Sequence, residues 1–119
     1  MTRVDGCLFC GIVAGEVPAQ MVYADETVIA FRDIAPQAPT HVLVVPREHI
    51  ENAGLVEAGD AETVAAMLTA AKAVADLEGI GDETRGYRLV FNVGPDAMNS
   101  VPHLHLHLVG GRSMTWPPG

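Results

Sequence analysis

Apolar and polar residues alternate with a period of two in one segment near the end of the chain, His103–Val109. Successive side chains of a β-strand point to opposite faces, so this alternation predicts a strand. The leucines of the segment would share one face and pack against a core. Its histidines would form a row of imidazoles on the other face: His103, His105 and His107.

Four other short runs predict the remaining strands of a sheet. They are rich in β-branched or aromatic residues and are bounded by turn-forming residues. The four runs are Met21–Ala24, Val28–Arg32, His41–Val45 and Tyr87–Asn92. The first two are joined by Asp25 and Glu26, which predicts a β-hairpin.

The hydrophobic period changes to 3.6 residues between Ala61 and Leu77, which predicts one amphipathic helix with Asp60 as its N-cap. A second, short helix is predicted over Cys7–Ala14, and Gly15 suits the position after its end. The residues of the short helix expected to face inward are Leu8, Phe9 and Ile12.

These elements predict an α+β fold. We expect a five-stranded antiparallel sheet with the long helix on one face and the short helix at the amino terminus. A length of 119 residues suits one core, so residues 1–119 are assigned to a single domain. A small antiparallel sheet can pair with its own copy, and the two-fold dimer is the commonest oligomer, so a homodimer is expected.

Charge and hydropathy exclude several partners. The chain has 15 acidic and 7 basic residues and a formal charge of −8, which repels a nucleic-acid polymer but not a small phosphate ester held locally. No run approaches the ~18–20 apolar residues of a membrane span, and the amino terminus lacks the apolar run of a signal peptide. We therefore expect no membrane partner and a cytoplasmic location.

Three clustered histidines suit two kinds of chemistry. They could surround one catalytic zinc ion, since a His-x-His pair with a third imidazole is a known zinc arrangement. Alternatively, they could donate hydrogen bonds to a phosphate while one imidazole attacks phosphorus. The polar side chains that precede them suit a phosphate site: Asn92, Asn99 and Ser100.

Cys7 and Cys10 are three residues apart, which in a reducing compartment indicates half of a metal site or a redox pair. His49 and His103 are candidates to complete a Cys₂His₂ zinc site. The alternative is that both cysteines are inert apolar residues of a short helix.

Two further residues have open roles. Asp33 precedes a proline-rich loop, where its carboxylate could accept hydrogen bonds from ribose hydroxyls or cap the loop. Trp116 could anchor the core or reach a neighbouring subunit.

The chain resembles the histidine triad family over nearly its whole length. The resemblance is carried by Cys7–Ile12, Ala30–His41 and His103–Arg112. The terminal Trp116–Gly119 is similar to the Hint branch, which hydrolyses purine nucleoside phosphoramidates. The resemblance implies a five-stranded antiparallel sheet with helices, paired into a homodimer.

The resemblance also implies catalytic roles. His105 would attack the α-phosphorus and form a nucleotidyl-histidine, from which water would release the nucleoside monophosphate. His107, Asn92 and Ser100 would hold phosphate oxygens or assist the leaving group. His103 would orient the row of imidazoles. No catalytic cofactor is implied.

The remaining implied contacts divide between substrate and metal. Asp33 and Ile34 would belong to the ribose and base pocket of a purine nucleotide. His41 would support the histidine row, and we also assign Asn99 and Trp116 to substrate binding. A structural zinc ion would bind to four side chains: Cys7, Cys10, His49 and His103.

The chain departs from the family pattern at three positions. Met98 and Asn99 stand where the family usually has Gly-Gln, and Pro102 replaces a common aromatic residue. Two other functions remain open: hydrolysis of dinucleoside polyphosphates on the same fold, and nucleotide binding as an adaptor with little turnover. The tail and Ser100 argue for the Hint branch against the first.

Overall fold

One antiparallel sheet organises residues 3–119, the part of the chain that the computed structural model describes. Its strands are β1 (Met21–Ala24), β2 (Val28–Arg32), β3 (Thr40–Pro46), β4 (Tyr87–Val90) and β5 (Leu106–Gly110), in the spatial order β1-β2-β3-β5-β4. The α-helices are α1 (Leu8–Val13) and α2 (Ala61–Leu77). Single 3₁₀ turns cover Ala53–Leu55, Ala58–Asp60 and Pro95–Ala97. The predicted α+β fold is confirmed.

Helix α2 packs on one face of the sheet, against β1, β2, β3 and β5. Its 17 residues give it a length of about 25 Å, and its buried stripe is rich in alanine, which lets the helix approach the strands closely. Its inner face packs against Val28, Val42 and Val44 of β2 and β3. Within the described residues, no helix has the length and apolar character needed to cross a membrane.

Helix α1 covers only part of the opposite face. Its six residues give it a length of about 9 Å. Phe9 of α1 packs into a cluster with Phe31 of β2 and with Leu43 and Val45 of β3. Side chains two residues apart in a strand share a face, so His41 lies on the same face of β3 as Leu43 and Val45, farther along the strand. This arrangement leaves His41 beyond the apolar cluster that α1 covers.

The histidine segment differs from its prediction. Regular strand pairing begins at Leu106, so His107 alone of the three histidines lies within β5. The preceding chain pairs with a loop, since the Leu104 N–H donates to the Ile50 carbonyl at 2.6 Å. Pro102 also lacks an N–H for a sheet ladder. The leucine face is buried as predicted, with Leu104, Leu106 and Leu108 each at most 2% exposed.

Three details of the helices and strands were predicted incorrectly. Leu8 is 49% exposed, since the short helix α1 directs Phe9 and Cys10 inward instead. Asp60 precedes α2 as expected, but its carboxylate accepts a hydrogen bond from the Glu57 N–H and none from the helix. Strand β4 ends at Val90, two residues before the predicted end.

We predict that substitutions of two adjacent residues in α2 lower the free energy of unfolding by very different amounts. Met67 is fully buried against the sheet, whereas Leu68 is 42% exposed. Met67→Ala should therefore lower the free energy of unfolding by about 2–5 kcal/mol, since it leaves a cavity. Leu68→Ala, the matched control, should cost less than about 1 kcal/mol. Urea denaturation measures both, and equal losses would contradict this packing.

Candidate active site and metal centre

Four side chains meet at one end of the sheet and form a cluster that we call the Cys/His cluster: Cys7, Cys10, His49 and His103. The His103 Nδ1 atom lies 3.4 Å from Cys7 Sγ, 3.5 Å from Cys10 Sγ and 3.2 Å from His49 Nδ1. The Cys10 Sγ atom lies 3.4 Å from His49 Nδ1. The structure therefore brings together all four residues that were predicted as metal ligands.

The spacing of these atoms fits a tetrahedral metal ion. Zinc–sulfur and zinc–nitrogen bonds of about 2.3 and 2.0–2.1 Å give ligand-to-ligand distances of about 3.3–3.8 Å. His103 also has the outer partner typical of a metal-bound imidazole, because its Nε2 lies 2.9 Å from the Pro46 carbonyl oxygen. A carbonyl only accepts, so Nε2 carries the proton and the lone pair of Nδ1 faces the cluster.

Local structure explains how the cluster forms. Cys7 is the N-cap of α1, and its sulfur accepts the Cys10 N–H at 3.3 Å. His49 follows β3 and His103 precedes β5, two neighbouring strands. Burial is the main cause that lowers the pKa of His103, which keeps its imidazole in the neutral form that binds metal.

His105 lies directly beside this cluster and is 9% exposed. Its Nδ1 atom is 2.7 Å from the main-chain carbonyl oxygen of His103. Because that oxygen can only accept, Nδ1 donates the hydrogen, and Nε2 of the neutral ring keeps a free lone pair. Among residues 3–119, the structure gives Nε2 no hydrogen-bond partner, so its lone pair is uncommitted.

A second polar group extends from His107 to the proline-rich loop. The Gln37 backbone N–H donates to His41 Nδ1 at 3.0 Å, so the proton of His41 lies on Nε2. That Nε2–H faces His107 Nδ1 at 2.9 Å and Asp33 Oδ2 at 3.5 Å. His107 Nδ1 therefore accepts, and the proton of His107 lies on Nε2. The chain of hydrogen bonds thus makes the Nε2–H of His107 a donor.

The environment of His107 disfavours a charge on its ring. Burial, and then the neighbouring His105 and His41, lower its pKa to about 4, and Asp33 opposes this shift in part. The rings of His105 and His107 are 5.1 Å apart between centroids. With both rings neutral, the two neighbouring imidazoles offer one lone pair and one N–H donor.

The loop before Ser100 borders a cavity of about 290 Å³. The cavity is lined by Glu51, Asn52, Gly94, Pro95, Asn99, Ser100 and Pro102. Asn99 Oδ1 is buried without a hydrogen-bond partner among the described residues. Met98 is the one non-glycine residue of positive φ (60°) within residues 3–119. That backbone conformation favours glycine, the residue usual in the family at this position.

The other predicted substrate residues differ in placement. Asp33 is half-buried and bonds to its own loop through the Ala35 N–H at 2.8 Å. Ile34 is fully exposed, and Asn92 is half-buried just after β4. Trp116 is 80% exposed, with the Arg88 guanidinium 5.9 Å above its ring, so its interpretation as a core anchor is wrong.

The structure also contradicts a single zinc ion held by all three histidines of the segment. His103 belongs to the Cys/His cluster, and His107 groups with Asp33 and His41. His103 Nδ1 faces the two cysteine sulfurs, whereas His107 Nδ1 faces His41.

Three partners of the imidazoles were missed in the sequence: the Pro46 carbonyl, the Gln37 N–H and the ring of Phe9. The first two are main-chain groups that leave no side-chain signal. Phe9 was predicted only as a core residue, although its position between Cys7 and Cys10 places it beside the cluster.

Comparisons with known proteins find relatives of this chain by sequence. The sequence profile of the HIT domain matches residues 14–114. A 14 kDa zinc-binding protein of Zea mays is 48% identical over 94% of this chain and 87% of its own length.

Solved structures share the fold. A HIT family hydrolase from Legionella pneumophila superposes with a TM-score of 0.92 and 53% identity, over 96% of this chain and all of that one. A histidine triad nucleotide-binding protein from Candida albicans superposes with a TM-score of 0.79 and 27% identity, over 96% of this chain and 85% of that one.

The zinc-binding relative fits a Hint-like branch, as the sequence resemblance implied. The profile match covers most of the chain, and both structural relatives reproduce its sheet and helices. The chain belongs to the histidine triad (HIT) family.

Proposed function

We propose that the protein hydrolyses purine nucleoside phosphoramidates, or transfers their nucleotidyl group, through a covalent intermediate on His105. The supporting observation is the 2.7 Å contact between His105 Nδ1 and the His103 carbonyl, which leaves Nε2 as the nucleophilic atom. A hydrolase relative from Legionella pneumophila and a nucleotide-binding relative from Candida albicans support the reaction type and the ligand class.

In the first step, the lone pair of His105 Nε2 forms a bond to the α-phosphorus. The phosphorus–nitrogen bond of the substrate breaks, and the amine leaves with the bonding pair and one added proton. The imidazole keeps its Nδ1–H, so the positive charge that develops on the ring is stabilised by the His103 carbonyl. In the second step, water attacks phosphorus and gives a proton to His107, which has already protonated the amine. The bond from phosphorus to His105 Nε2 breaks, its electron pair returns to the ring, and the nucleoside monophosphate is released.

His107 is placed to serve the phosphate and the leaving amine. Its Nε2–H would donate to a phosphate oxygen, and the anionic phosphate would in turn raise the pKa of His107. Substrate binding would thus bring the proton that the departing amine needs. In the free protein, His41 holds the ring of His107 through the 2.9 Å contact. Once Nδ1 of His107 takes up a proton, the His41 Nε2–H would turn to Asp33 Oδ2, 3.5 Å away.

The remaining substrate contacts are assigned by their position around this pair. Asn92 and Ser100 would hold phosphate oxygens, and His103 would orient His105. Asp33 and Ile34 would bind ribose and base, and the exposed Ile34 side chain is available for such contact. The unpartnered Asn99 Oδ1 would accept an N–H of the leaving amine.

Two other functions use the same site. A dinucleoside polyphosphate hydrolase would employ the same nucleophile with a phosphate leaving group. An adaptor would bind nucleotide without forming the covalent bond. The free Nε2 lone pair beside an N–H donor favours turnover over simple binding.

For the Cys/His cluster we propose a structural zinc ion. The donor set of two thiolates and two neutral imidazoles matches closed zinc sites. The name of the Zea mays relative supports zinc over other metals. Bound zinc would supply structural cross-linking only, and no catalytic cofactor is required. Ligands of this kind need reduced thiols, which suits a cytoplasmic location.

We further propose that residues 1–119 form one domain that pairs as a homodimer through β4. This strand is an edge of the sheet, and an unpaired edge can extend into a second copy. Its Leu89 is 38% exposed, and the exposed Trp116 lies on Arg88 of the same strand. Trp116 would then contact the substrate site of the second copy.

Removal of the nucleophile should abolish the covalent intermediate. When the protein is quenched early with an adenosine phosphoramidate, we expect an adenylyl adduct by intact mass, together with AMP. His105→Ala should form no adduct and lose at least about 10³-fold in turnover, as expected when a nucleophile is removed. Diadenosine polyphosphate, tested in parallel, should react more slowly. Equal AMP release by both proteins would disprove the assignment of His105.

Titration of His107 should report phosphate binding. NMR should give His107 a pKa of about 4 in the free protein and a higher value with bound AMP, since the phosphate favours the charged ring. Asp33→Asn should lower the free value, because the Asp33 charge raises it.

The lowered pKa of His107 also makes the free energy of unfolding depend on pH. Unfolded His107 binds its proton near pH 6.5, above the folded value, so the free energy of unfolding should fall as the pH drops from about 6.5 towards 4. An ordinary pKa for His107 in the free protein, unmoved by AMP, would contradict the geometry.

Metal analysis should find one zinc ion per chain, and chelation should lower the melting temperature. Zinc bound only by the folded state adds to its stability, so the fall should be several degrees or more. Cys10→Ser should bind zinc weakly and show little further fall on chelation. A melting temperature of the wild type that does not respond to chelator would contradict a structural zinc.

A further inference from the structure

His103 belongs to two sites at once. Its Nδ1 faces the Cys/His cluster, within 3.5 Å of both sulfurs and of His49. Its carbonyl oxygen accepts the Nδ1–H of His105 at 2.7 Å. The side chain of His103 is fully buried, and its Nε2–H is held by Pro46. Any movement of this residue must therefore shift the hydrogen bond that orients the nucleophile.

Phe9 makes a second connection between the same two sites. It lies in α1 between Cys7 and Cys10 and is 4% exposed. The edge-to-face contact of its ring with His105 has a centroid distance of 5.2 Å, and the corresponding distance to His103 is 6.0 Å. An edge-to-face contact of this kind restricts the tilt of the imidazole.

Helix α1 cannot hold Phe9 in place by its own stability. It has six residues, far fewer than the ~12–15 residues that a marginally stable isolated helix needs. Its position depends on the apolar cluster around Phe31 and on the two cysteines at its start and first turn. A metal ion bound to these cysteines would tie α1 to His49 and His103.

We propose that Phe9 and His103 are positioning residues through which the Cys/His cluster holds His105. Metal in the cluster fixes the Nδ1–H tautomer and the tilt of the nucleophile, and loss of metal releases both. The site is then regulated by metal supply, although the metal takes no part in the reaction. This inference rests on the proposed role of His105 in catalysis, but its first test does not require substrate.

The first experiment observes His105 directly. Imidazole nitrogen-15 spectra are recorded at pH 8 for the isolated protein, after chelation, and after reloading with Zn²⁺ alone. We expect one His105 tautomer with metal, a mixture of both after chelation, and recovery on reloading. The Leu106 and Leu108 amide signals report whether β5 remains folded. Identical His105 resonances in folded loaded and folded metal-free protein would overturn the proposal.

If the metal-free chain unfolds, two variants test whether Phe9 positions His105. Phe9→Leu and its matched control Phe31→Leu change the same residue type in the same apolar cluster, each 4% exposed. Phe31 contacts Phe9 at 5.4 Å between centroids, and among the described residues it has no ring contact with His105. Both variants should lose similar stability and retain Zn²⁺.

The variants should differ in kinetics and in spectra. Phe9→Leu should lower kcat about 10-fold with KM within about twofold, since a displaced nucleophile slows the chemical step. In Phe9→Leu, the nitrogen-15 spectrum should also show both tautomers of His105. Phe31→Leu should keep kcat within about twofold and retain one tautomer. Equal losses of kcat in both variants, or an unmixed tautomer in Phe9→Leu, would overturn the positioning role.

Different results would refute the proposed function and the proposed link from the Cys/His cluster to His105. If the wild-type protein forms no nucleotidyl adduct, the proposed function is wrong, and the nitrogen-15 spectra still test the link from cluster to imidazole. If the adduct forms normally and the spectra never respond to Zn²⁺ or Phe9→Leu, the link is wrong and the function stands.

Discussion

The hydrogen bond from His105 Nδ1 to the His103 carbonyl is the contact on which the proposed chemistry depends. It determines which nitrogen of His105 has a free lone pair. Comparable main-chain contacts orient the other imidazoles, with Pro46 holding His103 and the Gln37 N–H holding His41. Backbone groups thus set the tautomers before substrate arrives, which is the preorganisation that catalysis requires.

Unequal coverage of the two sheet faces explains where this chemistry lies. The long helix α2 packs across one face, and strands β2 and β3 bury their apolar residues against it. The short helix α1 covers only part of the other face. The histidines lie on that second face, beside the apolar cluster and next to the two cysteines. Burial there is deep enough to lower the pKa of His107.

Much of this arrangement could be predicted from local patterns. Runs of β-branched and aromatic residues between turns predicted the observed bounds of β1 and β2, and period-3.6 hydrophobicity predicted those of α2. The four cluster residues were also predicted, because cysteine and histidine carry recognisable metal chemistry. The regular strand predicted for the whole histidine segment was not correct, since the pairing of Leu104 with Ile50 depends on a distant loop. Main-chain partners of the imidazoles are likewise invisible in a sequence.

The most direct test of this account is the identity of the histidine nitrogen that carries phosphorus. A nucleotidyl adduct trapped on protein labelled with nitrogen-15 would be observed through its phosphorus–nitrogen coupling. We expect the bond at Nε2 of His105, since Nδ1 is committed to the His103 carbonyl. A bond at Nδ1, or on another histidine, would contradict the account, because that main-chain contact could not then orient the nucleophile.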